Sequence, residues 1–299
     1  MLKSIKEFGI SKSIVATVVG AALGLAILNQ VTKAPECFGV CSVNYNSVMQ
    51  SKGYIKGINK EIKNDVYLID YASAFSIGAS EVFAEKMDSI LVRAKKGDTI
   101  VINITSPGGA SVACAHDTFY TGKAKAYGVK TVAVVDYLAA SCGYMLASST
   151  DEIYALPGAS VGNIGSVYSY KDSIMDAAAK YLGGTKKVMG TTRIKELMAG
   201  ATPESDEDLE IMRGLALESN IEFKRTVLKG RGQKIDLLQI KEIFSGKLFS
   251  GRKALEFGLI DGFADKRTYM QLLHTQGYNI THVSYRVKKK APIAKLLGF

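Results

Sequence analysis

Two short apolar runs constrain the fold of this chain more than any other feature. They are Thr99–Ile104, with the sequence TIVINI, and Lys130–Val135, with the sequence KTVAVV. Both are typical of strands, and the first is apolar enough to be buried on both faces. The stretch between them, from about Ala110 to Tyr127, has the length of a crossover helix. A strand, a helix and a second strand in this order predict an α/β domain with parallel strands.

The same alternation extends over most of the chain. Apolar residues recur at helical spacing over Ala79–Lys96, and Gly97 with Asp98 ends that helix. The further predicted elements are strands at Asp65–Ala72, Glu152–Ala155, Asn163–Tyr168 and Thr281–Val287, and helices at Ala139–Ser149, about Glu204–Lys229 and Gly251–Phe257.

The net charge of +10 lies mostly at the two ends of the chain. Residues 1–33 carry +3 and residues 286–299 carry +5, which leaves +2 for everything between. A nucleic-acid-binding domain usually spreads its basic residues over a folded face, often with aromatic residues among them. The charge distribution therefore argues against nucleic acid as a partner.

The N-terminal segment has the pattern of a membrane anchor. From Ile14 to Leu28 the chain is apolar except for Thr17, and lysines precede this run. A fifteen-residue helix spans about 22 Å, and extension from Ile10 to Val31 reaches about 33 Å, against a hydrocarbon core of about 30 Å. We expect an uncleaved transmembrane helix with its N-terminus in the cytoplasm. A buried hydrophobic helix is the alternative.

These patterns divide the chain into four parts. The expected parts are an anchor at 1–33, a linker or membrane-proximal segment at 34–64, an α/β domain at 65–287 and a basic tail at 288–299. Four cysteines are too few for a disulfide-built scaffold. Cys37 and Cys41 have a spacing that permits a disulfide in an oxidising compartment.

The turn Ser106-Pro107-Gly108-Gly109 lies between the buried strand and the following helix. Its two glycines let the backbone approach a ligand closely, so the turn can aim backbone N–H groups at an anionic oxygen. Such a turn can also bind phosphate, or it can be a tight turn with no ligand-binding role. The fuller phosphate-binding motifs are absent from the sequence.

Ser141 is a candidate nucleophile because small residues surround it in Ala139-Ala140-Ser141-Cys142-Gly143. A serine at a helix start is more commonly a cap, and a nucleophilic serine also needs a base. The three histidines are His116, His274 and His282, and a triad of Ser141, His116 and Asp136 lacks a supporting motif. Lysine is therefore the more natural base, since burial favours its neutral form.

The two motifs, in this order, resemble the S49 family of serine peptidases, to which signal peptide peptidases belong. Three further segments are similar to family elements, namely Asp151–Pro157, Val161–Val167 and Gly251–Asp261. The resemblance covers roughly residues 65–285. It implies a crotonase- and ClpP-like α/β fold, a Ser–Lys dyad, an N-terminal membrane anchor and assembly into homo-oligomers in which neighbouring subunits can complete a site.

The resemblance assigns roles to individual residues. Ser141 is the expected nucleophile, and the backbone N–H of Gly108 or Gly109 is the expected oxyanion donor. The family's base falls in the stretch Gly190–Glu196, where we assign Lys195. Strict glycine spacing would select Arg193, but arginine cannot deprotonate in proteins. The less favoured alternatives are Lys186 and Lys187.

This chain also departs from the family pattern. Cys142 stands where the family usually has glycine, Asn163 replaces a serine and Thr105 replaces a residue that is often asparagine. A thiol at Cys142, beside the nucleophile, would make activity sensitive to thiol reagents.

The sequence therefore favours a membrane-anchored serine endopeptidase that acts on unfolded or membrane-released peptides such as signal peptides. Its peptidase domain is expected on the extracytoplasmic side of the plasma membrane. No cofactor or metal is expected, and membrane lipid is an expected partner, which the basic tail could contact. The alternatives are a crotonase-type acyl-CoA enzyme and an inactive membrane scaffold of the same fold; a phage capsid-maturation peptidase is a variant of the first hypothesis.

Overall fold

The computed structural model describes residues 39–45, 64–168 and 189–286. The predicted anchor at 1–33 and the predicted tail at 288–299 lie outside these residues. Within the described ranges, no helix combines the length and the apolar character needed to cross a membrane.

The chain divides into two compact units. The first consists of Met1–Cys41 and Arg286–Phe299, and the second is Ser42–Tyr285. Only residues 39–41 and 286 of the first unit are described. The second unit contains the described helices, the cleft and all strand residues except Gly39–Cys41 and Arg286.

The main sheet has seven strands in the order β1-β10-β2-β3-β4-β6-β9. Its strands are β1 (Gly39–Asn44), β2 (Asp65–Tyr71), β3 (Thr99–Ile104), β4 (Lys130–Val135), β6 (Glu152–Ala155), β9 (Gly262–Phe263) and β10 (Asn279–Arg286). All pairings from β10 across to β9 are parallel. Every residue of β3 is buried, which explains its unbroken apolar sequence. The prediction of parallel strands joined by crossover helices is confirmed.

Helices cover both faces of this sheet. They are α1 (Ile77–Leu91), α2 (Ser111–Ala126), α3 (Cys142–Ser148), α4 (Arg193–Met198), α5 (Asp206–Arg231), α6 (Ile240–Ile243), α7 (Gly251–Glu256) and α8 (Lys266–Thr275). On one face, Val66 and Leu68 of β2 pack with Met270 of α8. On the other face, Tyr71 of β2 contacts Phe83 of α1. Alternate β2 residues thus point to opposite helical layers, as the two-residue period of a strand requires.

A second, three-stranded sheet carries the segments next to the candidate nucleophile. It contains β5 (Leu138–Ala140), β7 (Ser160–Gly162) and β8 (Leu248–Ser250) in the order β5-β7-β8. Strand β5 runs parallel to β7, and β7 runs antiparallel to β8. This sheet places the end of β5, just before Ser141, beside the end of β7.

Two predicted boundaries in this region are wrong. The helix expected over Ala139–Ser149 begins only at Cys142, because Leu138–Ala140 forms a strand. The strand expected over Asn163–Tyr168 is absent there, and the strand lies just before it at Ser160–Gly162. Asn163 adopts a φ of 54°, a left-handed conformation that ends the extended backbone.

Arg231 at the end of α5 forms a buried ion pair. Its side chain is fully buried, and its Nη1 lies 2.7 Å from Asp261 Oδ2. The same guanidinium donates to the Gly258 carbonyl oxygen from Nη2 at 2.8 Å. Asp261 Oδ2 also accepts from the Ile153 backbone N–H at 2.8 Å. This network joins three parts of the chain: α5, strand β6, and the segment that precedes β9.

We expect Arg231→Ala to lower the free energy of unfolding by about 3–5 kcal/mol, because it removes one partner of a buried ion pair. Chemical denaturation of the purified domain would measure this loss. Arg225→Ala is the matched control: its side chain is 73% exposed and pairs with Glu222 on the surface, so the change should be within about 0.5 kcal/mol. Equal effects of the two substitutions would contradict the assigned role of Arg231.

Candidate active site

The two sequence motifs meet where the loops after β3 and β4 leave the sheet. Ser106 donates its backbone N–H to the Leu138 carbonyl oxygen at 2.8 Å, and its own carbonyl oxygen accepts from the Ala140 N–H at 3.0 Å. Ser106 thereby forms a parallel bridge with Ala139. The glycine turn is therefore attached to the strand that leads directly into Ser141.

Gly108 lies directly against the candidate nucleophile. A Cβ atom at Gly108 would lie 2.6 Å from Ser141 Cβ and 3.0 Å from Ser141 Oγ. The φ angle of Gly108 is 104°, a conformation that side-chain-bearing residues rarely adopt. Only glycine allows the turn to approach Ser141 this closely.

The outer side of the turn is held by Phe75. Phe75 donates its N–H to the Gly108 carbonyl oxygen at 2.9 Å and accepts from the Ala110 N–H at 3.0 Å. Its ring stacks on Tyr71 with 4.5 Å between centroids. Tyr71 in turn donates its hydroxyl to Asp117 Oδ2 at 2.8 Å. Burial raises the pKa of the Asp117 carboxyl above its ordinary value. These contacts fix the turn from the side opposite Ser141.

Ser141 has an unusual backbone conformation. Its φ of 52° and ψ of −122° belong to a region that non-glycine residues rarely occupy and that costs about 1–3 kcal/mol. Two backbone hydrogen bonds hold it there. The Ser141 N–H donates to the Gly162 carbonyl oxygen at 2.9 Å, and the Ser141 carbonyl oxygen accepts from the Met145 N–H at 2.9 Å. Such strain persists only where the surrounding structure imposes it.

The Ser141 hydroxyl is not used as a helix cap. Ser141 precedes the first residue of α3, yet its side chain makes no capping hydrogen bond. A serine at this position ordinarily accepts from a backbone N–H of the first turn. The half-buried Ser141 instead lines a cleft, so its hydroxyl is available for chemistry.

The backbone N–H groups of Gly109 and Cys142 are available beside Ser141, whereas the N–H of Gly108 is not. Gly108 donates its N–H to Ser106 Oγ at 3.2 Å, so this donor already has an acceptor inside the turn. The exposed Gly109 has no acceptor for its N–H among the described residues. Cys142 is the first residue of α3, where backbone N–H groups have no partner within the helix. The backbone N–H of Cys142 is not among the donors expected from the sequence, although the helix predicted around Ser141 indicates a free N–H near its start.

A cleft of 1170 Å³ opens in front of Ser141. It is lined by the start of α2, by α3, by the segment after β7 and by residues of α4 and α5. Its apolar lining includes Met145, Ile164, Leu197, Leu215, Phe223 and Phe244. The cleft is large enough for several residues of an extended peptide and provides apolar surface for its side chains.

Lys195 lies on α4, and its side chain is exposed. Leu197 and Met198 of the same helix line the cleft, whereas Lys195 is not among the described lining residues. Arg193, the residue that strict spacing would select, hydrogen bonds to Asp208 through Nε at 2.8 Å and to Glu196 through Nη1 at 3.2 Å. Arg193 therefore has a structural ion-pair role. Lys186 and Lys187 lie outside the described residues.

The structure does not assemble a histidine triad at Ser141. His116 Nδ1 lies 3.3 Å from Asp117 Oδ1 on the same helix. Asp136 accepts from the Lys266 backbone N–H at 2.8 Å. His282 Nε2 lies 3.0 Å from Asp70 Oδ2. No histidine of the described chain lines the cleft.

Cys142 is bonded to Cys114 of α2, with 5.4 Å between the Cα atoms. The expectation of a reactive thiol beside Ser141 is therefore wrong, because a disulfide does not react with thiol-alkylating reagents. Cys41 is also disulfide-bonded, and the described part of the chain has no free cysteine. The sequence could not pair Cys114 with Cys142, since their proximity depends on how α2 packs against α3.

The chain is similar to several curated proteins. It is 32% identical over 183 residues to the Na(+)/H(+) antiporter NhaA of Brucella abortus, a match that covers 59% of this chain and 24% of that protein. It is 26% identical to the probable protease SohB of Haemophilus influenzae, with 78% of this chain and 64% of SohB covered. It is 26% identical to the putative signal peptide peptidase SppA of Enterococcus faecium, with 56% and 47% covered.

The chain thus spans about a quarter of the Brucella relative and less than two thirds of the two protease relatives. The family model of peptidase family S49 matches residues 123–277, which is more than half of the chain. This range begins within α2, includes Ser141 and extends past α8. The chain belongs to peptidase family S49.

Proposed function

We propose that this protein is a membrane-anchored serine endopeptidase that cleaves unfolded or membrane-released peptides, including signal peptides. The main observation behind the proposal is the conformation and surroundings of Ser141. Its strained backbone, uncapped hydroxyl and contact with the glycine turn occur together at an apolar cleft. Strained residues of this kind are concentrated at catalytic sites.

The proposed mechanism uses side-chain and backbone groups of the protein and no cofactor. Neutral Lys195 takes the proton of Ser141 Oγ, which attacks the carbonyl carbon of the scissile peptide bond. The N–H groups of Gly109 and Cys142 stabilise the resulting oxyanion. As this intermediate collapses, protonated Lys195 donates its proton to the leaving nitrogen, which departs as the amine product. Water then hydrolyses the acyl-enzyme, with neutral Lys195 again the base. Gly108 contributes by its small size, because its own N–H is directed to Ser106.

The exposed position of Lys195 favours an oligomeric active site. A lysine acts as a base only in its neutral form, which burial favours. In a single subunit Lys195 lies outside the described lining of the cleft. We propose that a neighbouring subunit of a homo-oligomer covers Lys195 and that this residue serves a cleft at the subunit boundary.

The disulfides support a location outside the cytoplasm. Structural disulfides persist in oxidising compartments and are rare in the cytosol of most organisms. This agrees with an N-terminal anchor that leaves the peptidase domain on the extracytoplasmic side of the plasma membrane. The apolar lining of the cleft favours the hydrophobic segments that peptides released from membranes contain.

Labelling with a fluorophosphonate probe, followed by mass-spectrometric mapping, tests whether Ser141 is nucleophilic. We expect the probe on Ser141 of the full-length wild-type protein in detergent. Ser111→Ala is a matched control, because Ser111 is exposed and lines the same cleft, and this variant should label normally. No labelling of any serine in protein that is folded by circular dichroism would favour an inactive scaffold.

Lys195→Ala is expected to lower kcat for peptide cleavage by about 10²–10⁴-fold, the usual contribution of a general base. The assay is hydrolysis of a fluorogenic hydrophobic peptide by the full chain. Lys187→Ala is the control and should retain wild-type kcat. The reverse pattern, with Lys187→Ala inactive and Lys195→Ala active, would contradict the assignment of Lys195 and identify Lys187 as the general base.

A further inference from the structure

The Cys114–Cys142 disulfide joins the two segments that make up the proposed oxyanion site. Cys142 directly follows Ser141, and Cys114 lies on α2 a short distance after the glycine turn. The Cα–Cα distance of 5.4 Å lies within the ordinary range for a disulfide. The pair of hydrogen bonds between Ser106 and β5 also links these segments. Hydrogen bonds and a covalent bond thus both hold these segments together.

Both residues of the disulfide line the cleft. Cys114 is fully buried and Cys142 is 5% exposed, yet both line the cleft in front of Ser141. A small dithiol that enters the cleft would meet the disulfide at Cys142, the more exposed of the two residues. A bound peptide would block this entry.

Breaking this bond would change the geometry around Ser141. Two thiol sulfurs that are not bonded need a separation of about 3.5–4 Å, as other non-bonded heavy atoms do. They would have to move apart in a closely packed site, because Cys142 Sγ lies 3.4 Å from the Gly109 carbonyl oxygen. The backbone of Cys142 and the start of α2 must absorb this movement. Cys142 is itself one proposed oxyanion donor, and Gly109, the other, lies two residues before the first residue of α2.

We infer that the Cys114–Cys142 disulfide is a redox-controlled tether of the catalytic site, and that the oxidised protein is the active form. This inference rests on the proposed function. In the switching step a dithiol reductant transfers two electrons and two protons to the disulfide. Cys114 and Cys142 become thiols, and the reductant becomes a disulfide. The strained Ser141 then loses part of the structure that imposes its conformation.

The tether can be tested by kinetics of the full-length protein before and after treatment with dithiothreitol. Alkylation and mass spectrometry would report the state of each cysteine. We expect reduction of Cys114 and Cys142 to lower kcat about tenfold or more with little change in KM, since a misplacement of about 1 Å costs up to about 10²-fold. Reoxidation should restore kcat.

Two variants separate this disulfide from the other one. Cys114→Ala should have a low kcat that no longer responds to dithiothreitol. Cys41→Ala should keep the wild-type kcat and the wild-type response, because it removes only the bond of Cys41. An unchanged or higher kcat after Cys114 and Cys142 are shown to be reduced would overturn the inference. So would alkylation of both cysteines in untreated, folded protein.

Hydrogen–deuterium exchange distinguishes failure of the tether from failure of the proposed function. Reduction is expected to increase exchange in the peptide that covers residues 139–146. If the oxidised protein neither cleaves peptides nor labels with the serine probe, the proposed function fails, and faster exchange on reduction still supports the tether. Unchanged exchange in the reduced protein would overturn the tether whatever the activity.

Discussion

Ser141→Ala is expected to lower the rate of peptide cleavage by at least about 10³-fold, because no acyl-enzyme forms without the hydroxyl. The backbone strain at residue 141 does not depend on Oγ, and Ser141 makes no capping bond that alanine would lose. The variant should therefore fold as the wild type does. Hydrolysis of a fluorogenic peptide, with thermal unfolding as the check on folding, measures both properties.

Ser141→Gly provides a sharper form of the same experiment. Glycine adopts a φ of 52° without the cost that serine pays, so this variant should be inactive and also more stable by about 1 kcal/mol. Loss of activity together with a gain in stability would indicate that the strained conformation of Ser141 serves catalysis at a cost in stability. Normal cleavage by Ser141→Ala would show that another group is the nucleophile.

The second large effect is expected for Gly108→Ala. The added methyl group would lie 2.6 Å from Ser141 Cβ and 3.2 Å from the Ala140 carbonyl oxygen, and the φ of 104° adds strain. The turn and Ser141 must then move apart. We expect kcat to fall by about 10²-fold, since displacement of about 1 Å at a reacting group has this effect, and the melting temperature to fall as well.

Gly122→Ala is the control for this substitution. Gly122 lies within α2, and a Cβ atom there would meet nothing within 4 Å. Alanine is favoured over glycine inside a helix by up to about 1 kcal/mol, so this variant should be active and slightly more stable. If Gly108→Ala retained the wild-type kcat, the close contact between the turn and Ser141 would have no catalytic role.

The core of the α/β domain was predictable because its strands are continuous apolar runs. Thr99–Ile104 and Lys130–Val135 were predicted with the same bounds that the structure has. The elements around Ser141 were harder to predict, since Leu138–Ala140 consists of residues with no periodic pattern. Their extended conformation comes from pairing with Ser160–Gly162, a contact between segments distant in sequence. Local propensity does not contain that information.

The candidate site was predictable as a set of residues but not as an arrangement. The motifs located Ser141 and the glycine turn. The spacing of the lysines did not indicate whether any of them lies at the cleft beside Ser141. In the structure Lys195 is exposed and Arg193 is held by Asp208 and Glu196. Burial and ion pairing depend on how α4 packs with its neighbours, and the sequence around Gly190–Glu196 does not specify this.

The sequence by itself determined the parallel strands, the order of the two motifs and the resemblance to S49 peptidases, because apolar runs and glycine turns are local properties of a chain. Only the tertiary structure decided that Ser141 is strained and uncapped, that Gly109 rather than Gly108 has a free N–H among the described residues, and that Cys114 is bonded to Cys142. Each of these depends on contacts between segments that lie far apart in the chain and meet only when the helices pack on the sheet.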